Sequence, residues 1–245
     1  MKKIVIIGAS SGLGARIATD YARRGWRVGI AARRTDMLSA LKQRYPENIE
    51  YMTIDVGATD AVKRFYELIE LIDGMDVLLY AAGTGFQDLT LDEVRTRQTL
   101  TTNVLGFTAI VDAAFNYFRD TANLAPGQIA VITSIAGTKG MGAAAAYSAS
   151  KRYEWIYIDA LEQLAHIQHV NVRFTDIRPG FVRTSLLDPD KSYPMIMSVD
   201  YAAPRIERAI DRHRRVAVID SRWRVITALW RLIPRCLWKR LNITN

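Results

Sequence analysis

The opening stretch of the chain constrains its fold most. Lys3 to Gly8 is a Val/Ile-rich run without polar alternation, followed at once by Gly8-Ala-Ser-Ser-Gly12-Leu-Gly14. A short continuous apolar run reads as a strand buried on both faces, as parallel sheets require. Glycines after such a strand permit a tight turn and a close approach of backbone to a phosphate. The helix opening there, through Arg24, offers free N–H groups and a positive dipole end to an anion. A glycine-rich βα turn without a ligand is the plainer alternative. The order strand, turn, helix favours cofactor binding.

The same alternation continues along the chain. Strands are predicted at Gly25–Ala32, Glu50–Val56, Met75–Gly83, Gln128–Ser134, Val170–Ile177 and Arg215–Ile219. Helices are predicted between them, at Thr35–Arg44, Ala58–Ile72, Leu91–Arg119 with an interruption near Asn103, up to His166, and Tyr201–His213. Strand and helix in strict turn predict an α/β fold: a Rossmann-like, doubly wound three-layer α/β/α sandwich with a mostly parallel sheet of about seven strands. One domain is expected over residues 1–220, with no internal repeat.

Candidate ligand residues fall at the strand ends. The second strand ends in Ala32-Arg33-Arg34. An acid there would hold the 2′-hydroxyl of NAD, whereas an arginine accommodates the 2′-phosphate of NADP. The acid is missing, so Arg33, helped by Ser10 or Ser11, points to NADP(H) over NAD(H); two solvated arginines are the plainer reading. Asp55 would accept from an adenine amino group; a helix N-cap or loop carboxylate is the plainer reading. Asn103 lies in a small-residue and apolar run, where a polar side chain needs a partner. It marks either a kink that holds water or an exposed helix position. Ser134 ends the fifth strand, where parallel sheets place their ligand crevice, although most such serines cap a turn.

Tyr147-Ser-Ala-Ser-Lys151 then places a phenol and an ammonium one helical turn apart on one face. A free phenol is a poor proton donor or acceptor at neutral pH. A neighbouring cation favours phenolate and brings such a group toward acid/base work. Alone, this spacing arises by chance on many helices. Leu186 to Ser198, with Tyr193, Met195 and Met197, reads as a loop that either lids an apolar pocket or packs on the protein.

Taken together, these motifs resemble the short-chain dehydrogenase/reductase family over residue 1 to about 220. The matching elements are Gly8 to Gly14, Asp55-Val56, Ala81-Ala82-Gly83, Asn103, Ser134, Tyr147-x-x-x-Lys151, Pro179-Gly180 and Val182-x-Thr184. The resemblance implies an NAD(P)-dependent oxidoreductase, NADPH-preferring here, working on a carbonyl or secondary alcohol. It implies Tyr147 as general acid/base and Lys151 as its electrostatic partner and ribose ligand. Ser134 would polarise the substrate oxygen, and Asn103 would hold a kink and a water that links Lys151 to solvent. Gly8, Ser10, Ser11, Gly12, Leu13 and Gly14 would wrap the pyrophosphate. Asp55, Val56, Ala82, Gly83, Pro179, Gly180, Val182 and Thr184 would complete the cofactor site. A homodimer or homotetramer is implied as well. One departure is Tyr80-Ala-Ala-Gly83, where the family usually carries Asn-Asn-Ala-Gly; those asparagines support the central sheet. The alternative reading is a non-catalytic NADP-binding sensor or scaffold.

Composition adds one asymmetry. The net charge is +8, and Arg205 to Asn245 holds eleven Lys/Arg against three Asp/Glu. Removing those from the chain's 33 basic and 25 acidic residues leaves 22 of each, so the first 204 residues are neutral overall. Residues 221–245 form a basic, Trp-rich amphipathic extension, broken at Pro234. It would pack on the subunit or a partner copy, dock at an anionic membrane through residues 221–241, or capture an acidic substrate or partner. No nucleic-acid motif appears. The single cysteine, Cys236, and a pre-glycine apolar run too short for a secretory signal lead us to expect a cytoplasmic location. His166, His169 and His213 lack metal-ligand company. The sequon Asn242-x-Thr244 is expected to be idle.

Overall fold

A computed structural model describes residues 1–121 and 125–243; Thr244 of the sequon lies outside them. Seven parallel strands form one sheet in the order β3-β2-β1-β4-β5-β6-β7. They are β1 (Lys3–Ile7), β2 (Arg27–Ala32), β3 (Ile49–Thr53), β4 (Val77–Tyr80), β5 (Gly127–Ile132), β6 (Val172–Pro179) and β7 (Val216–Ile219). The helices are α1 (Gly12–Arg23), α2 (Thr35–Arg44), α3 (Ala61–Leu71), α4 (Glu93–Leu100), α5 (Phe107–Asp120), α6 (Ala145–Ile167), α7 (Val199–Asp211), α8 (Ser221–Leu232) and α9 (Arg235–Trp238).

The two-residue period of a strand sorts β1 between two cores. Ile4 and Ile6 join Ile17 of α1, Leu38 of α2 and Ile206 of α7. Val5 and Ile7 join Phe65 of α3, Phe107 of α5 and Ile158 of α6. That is why the opening run is apolar at consecutive positions: both faces are covered by helices. Chain order reverses direction about β1 and β4, which places a crevice at their carboxyl ends.

The predicted interruption near Asn103 is a π-helical segment, Thr101–Gly106, between α4 and α5. Tyr80, standing where the usual asparagine is absent, is fully buried. Its hydroxyl donates to the Thr102 carbonyl at 3.1 Å, and its ring meets Phe107 edge-on at 5.3 Å. The sheet centre is thus tied to the π-helix by a different residue.

The basic extension packs on its own subunit. Trp223 of α8 is 2% exposed and meets Phe181 edge-on at 5.6 Å. A methyl group on Gly180 would stand 2.2 Å from the Trp223 Nε1, so only glycine fits beneath this indole. Trp230 and Trp238 continue the aromatic row at 6.1 and 5.6 Å. Lys139 Nζ donates to the Ile233 carbonyl at 2.9 Å, and Trp238 Nε1 to the Gly140 carbonyl at 2.8 Å. The extension therefore braces the segment between β5 and α6. Among the described residues, no helix is long and apolar enough to cross a membrane.

Trp223 tests this arrangement. Trp223→Ala is expected to cost about 3–5 kcal/mol, read as a lower urea midpoint. Trp223→Phe keeps a six-membered ring, loses the pyrrole part of the indole and removes an N–H that has no acceptor among the described residues; it is expected to cost less than the alanine variant.

Candidate active site

Backbone contacts make the turn after β1 tight. Gly8 has φ +92°, and a methyl group there would lie 2.5 Å from the Ala82 nitrogen. A methyl on Gly14 would lie 2.3 Å from the Gly8 carbonyl oxygen. These two positions require glycine, because the obstructing atoms are backbone. Leu13 packs toward the core from the first turn of α1. Ser11 precedes α1 without a side-chain cap bond, so its hydroxyl does not occupy the helix N-terminus. The loop after β6 closes over the same turn: the Thr184 methyl would be 3.1 Å from a methyl on Gly12. Loops from β1, β4 and β6 thus converge, and the cradle fits a dinucleotide pyrophosphate.

Past the end of β2, the arginine that meets the Gly8–Gly14 turn is Arg34. Its guanidinium donates to the Ser10 Oγ at 2.9 Å and to the Ser11 Oγ at 2.6 Å. Arg33 is exposed and has no side-chain hydrogen bond or ion pair among the described residues. Adjacent arginines at a strand end point to opposite sides, and the sequence does not say which faces the turn. Asp55 is exposed and accepts from the Gly57 N–H at 3.0 Å, the local turn that was its plainer reading. Val56 is buried against Gly106 of the π-helix.

Asn103 is fully buried, and its side-chain amide is spent within the protein. Oδ1 accepts from the Thr84 N–H at 2.9 Å, while Nδ2 donates to the Thr84 carbonyl at 2.7 Å and the Ser150 Oγ at 3.0 Å. It clamps the segment after β4 to the first turns of α6. The exposed-helix alternative is thereby removed. A methyl group on Gly83 would sit 3.4 Å from Lys151 Nζ and 3.6 Å from Asn103 Oδ1.

Lys151 is 3% exposed and reaches back toward the sheet, its Nζ 5.9 Å from the Tyr147 ring centre. The ammonium donates to both oxygens of Glu154 at 2.9 Å and approaches the Ile132 carbonyl, the end of β5, at 3.4 Å. Burial pulls the Lys151 ammonium down, but the charges of Glu154 and Tyr147 overcome it and hold it above its ordinary value. Burial pushes the Glu154 carboxyl up to about 7, against the pull of Lys151. Glu154 was not legible in the sequence: a Lys–Glu pair three apart on a helix ordinarily lies at the surface. Tyr147 rests on Gly85, where a methyl group would meet its ring at 2.3 Å; nothing in the spacing marks Gly85.

Ser134 follows β5 by two residues and accepts from the Ala136 N–H at 3.1 Å, so it does cap a turn. That turn presses on the helix: a methyl on Gly137 would lie 3.0 Å from the Lys151 carbonyl. Ser134 therefore sits at the same strand end that Lys151 reaches. Pro179 ends β6, and Gly180 leads on to Val182, which is buried and bridged to Met197. Met197 is 3% exposed, and Tyr193 meets Phe181 at 5.0 Å. These two lid residues pack on the protein. Lys191 Nζ joins the lid to Gln87 at 2.8 Å, across the site. Among the described residues, no group of three or more His, Cys, Asp and Glu is placed to hold a metal ion.

Comparison with known proteins adds to this geometry. The family pattern described as short chain dehydrogenase matches residues 2–193. An uncharacterized oxidoreductase of Mycobacterium tuberculosis is 31% identical over 246 residues, covering 96% of this chain and 95% of its own. Among solved structures, a short-chain dehydrogenase from Sphingobium yanoikuyae in complex with NADPH superposes with a TM-score of 0.78. It is 20% identical, over 100% of this chain and 98% of that one. An alcohol dehydrogenase from Thermococcus sibiricus complexed with 5-hydroxy-NADP gives a TM-score of 0.74 at 25% identity, over 89% and 95% of the two chains. The chain belongs to the short chain dehydrogenase family of oxidoreductases.

Proposed function

We propose that this protein is an NADP(H)-dependent oxidoreductase that interconverts a carbonyl and a secondary alcohol, with Tyr147 as the general acid/base. The observation that carries this reading is the buried Lys151 ammonium, held beside the Tyr147 ring at the end of β5. A bound nicotinamide supplies or accepts the hydride. The protein's own residues handle the proton and the substrate oxygen. Tyr147 gives its phenolic proton to that oxygen in reduction and takes it back in oxidation. Ser134 donates a hydrogen bond to the same oxygen, and fixed donors of this kind stabilise the charge that develops there. Lys151 lends positive charge to the phenol and holds the nicotinamide ribose. Glu154 keeps the Lys151 chain extended toward the site. Asn103 fixes the positions of Thr84 and Ser150, and so the entry of α6.

Cofactor choice rests on the end of β2. Arg34 is already drawn onto the Ser10 and Ser11 hydroxyls, which forms a fork and two hydroxyls suited to a 2′-phosphate. Arg33 adds charge beside it. The cofactor named with the Thermococcus sibiricus dehydrogenase supports the same preference. Ala32 supplies no carboxylate for an unphosphorylated ribose.

Three measurements test these assignments. With NADPH and a panel of ketones, Tyr147→Phe is expected to lower kcat by about 10²–10⁴-fold while leaving cofactor binding intact; equal turnover removes Tyr147 from its role. Titration with both cofactors should show tighter NADPH binding. Arg34→Ala should weaken NADPH by about tenfold or more and leave NADH unchanged, and a wild-type preference for NADH sinks the cofactor assignment. For Glu154, the folded carboxyl titrates at about 7, above the ordinary 4.5. The folded state therefore binds the extra proton in that window, and the stability this group contributes is lost as pH rises through it. The melting temperature of Glu154→Gln should consequently fall less than that of wild type between pH 5 and 7. Parallel curves would show that Glu154 is already ionised at pH 5.

A further inference from the structure

The net charge of +8 belongs to the last 41 residues, Arg205 to Asn245, and folding gathers much of it around one cleft. This cleft, of about 580 Å³, opens between α7, β7 and α8, on the far edge of the sheet from β3. Helix α7 is sorted by charge. Asp200, Glu207 and Asp211 face α1, where Asp200 pairs with Arg16 and Asp211 with Arg24 at 2.9 Å, while Glu207 stands 3.9 Å from Arg24. Arg205, Arg208 and Arg212, spaced by three and four residues, line the cleft instead. From the opposite wall α8 presents Arg224 and Arg231, two turns apart on one face. Arg214 enters from the turn before β7.

Most of these guanidiniums have no counter-charge. Arg205 stacks 3.4 Å over the Tyr201 ring and donates to the Tyr201 carbonyl. Arg178, at the floor, is held by Asp176 at 2.7 Å. Arg208, Arg212, Arg214, Arg224 and Arg231 make no side-chain hydrogen bond or ion pair among the described residues. The one carboxylate in the lining, Asp220, is taken by Arg222 at 2.6 Å. Five unpaired like charges around one concavity repel one another within a Debye length of roughly 8–10 Å. The fold meets that cost without an internal acid, although α7 carries three acids on its other face. An anion in the cleft would remove the repulsion. A planar fork of donors matches phosphate oxygens in pairs, and the volume exceeds what one phosphate fills.

We propose that this cleft binds an anion carrying several phosphoryl groups, separately from the dinucleotide site. Two sources share that chemistry: a soluble oligophosphate, and the headgroups of an anionic bilayer. Val225, Leu229 and Leu232 stand exposed on the next face of α8, so a bilayer surface can also be met there.

The experiment uses the full chain and two probes. Sodium tripolyphosphate is titrated by calorimetry at low and at high chloride. Phosphatidylcholine vesicles with and without phosphatidylglycerol are sedimented with the protein. Wild type is expected to bind at least one probe, with affinity falling as chloride rises. The double variants Arg208→Ala/Arg212→Ala and Arg224→Ala/Arg231→Ala should each bind about tenfold or more weakly, with a melting temperature no lower than wild type and unchanged NADPH affinity. Tripolyphosphate binding assigns the ligand to solution; binding only to phosphatidylglycerol vesicles assigns it to a membrane surface. Either result supports the site. No binding of either probe by wild type, or equal binding by the folded double variants, overturns it.

Discussion

A buried ammonium sets the terms for the centre of this molecule. An ammonium at Lys151 is costly in the apolar interior and calls for a counter-charge, because removing an ion from water costs several kcal/mol even after relaxation. Glu154 supplies that charge from the same helix, with both oxygens at 2.9 Å. Glu154 is itself wholly buried, and burial works against its ionisation. The pair is therefore a device for placing a cation at the end of β5 and costs the fold stability. What surrounds it follows from the need to hold that cation still. Asn103 clamps the entry of α6, Gly83 and Gly85 let the post-β4 segment close on Lys151 and Tyr147, and the Ser134 turn presses on the helix from the sheet side.

The π-helical segment belongs to the same design. Such segments insert an extra residue into a helix and re-aim its side chains. Here the π-helical segment accompanies an inward-pointing Asn103 while α5 keeps its packing face on the core. Tyr80 anchors that segment to β4 by a hydrogen bond and an aromatic contact. The support that asparagines usually give at this sheet position is provided by a buried ring.

The C-terminal extension reorganises the other side of the site. Its tryptophans cover Gly180 and Phe181, and its backbone and indole contact the segment between Ser134 and Tyr147. Loops after β4, β5 and β6 are further joined by Asp88 to Ala143 and by Lys191 to Gln87. A site built from loops gains rigidity this way. Arg224 and Arg231 of the extension are left to the outer surface, in one cleft with Arg205, Arg208 and Arg212 of α7, whose acids turn toward α1.

Sequence by itself determined the strand and helix order, the parallel sheet and the family. The first two follow from local periodicity, and the family from the order of the motifs, of which the Gly8 to Gly14 turn is the first. It also marked Asn103, Ser134, Tyr147 and Lys151, through the family resemblance and not through the spacing of any one of them. Tertiary structure alone decided that Arg34 rather than Arg33 meets Ser10 and Ser11, since neighbouring side chains diverge and only the turn's position selects one. Likewise it decided that Glu154 is buried with Lys151, that Trp223 closes over Gly180, and that the arginines of α7 and α8 share one cleft. Each of these is a meeting of residues set by packing between elements far apart in the chain, which no local pattern encodes.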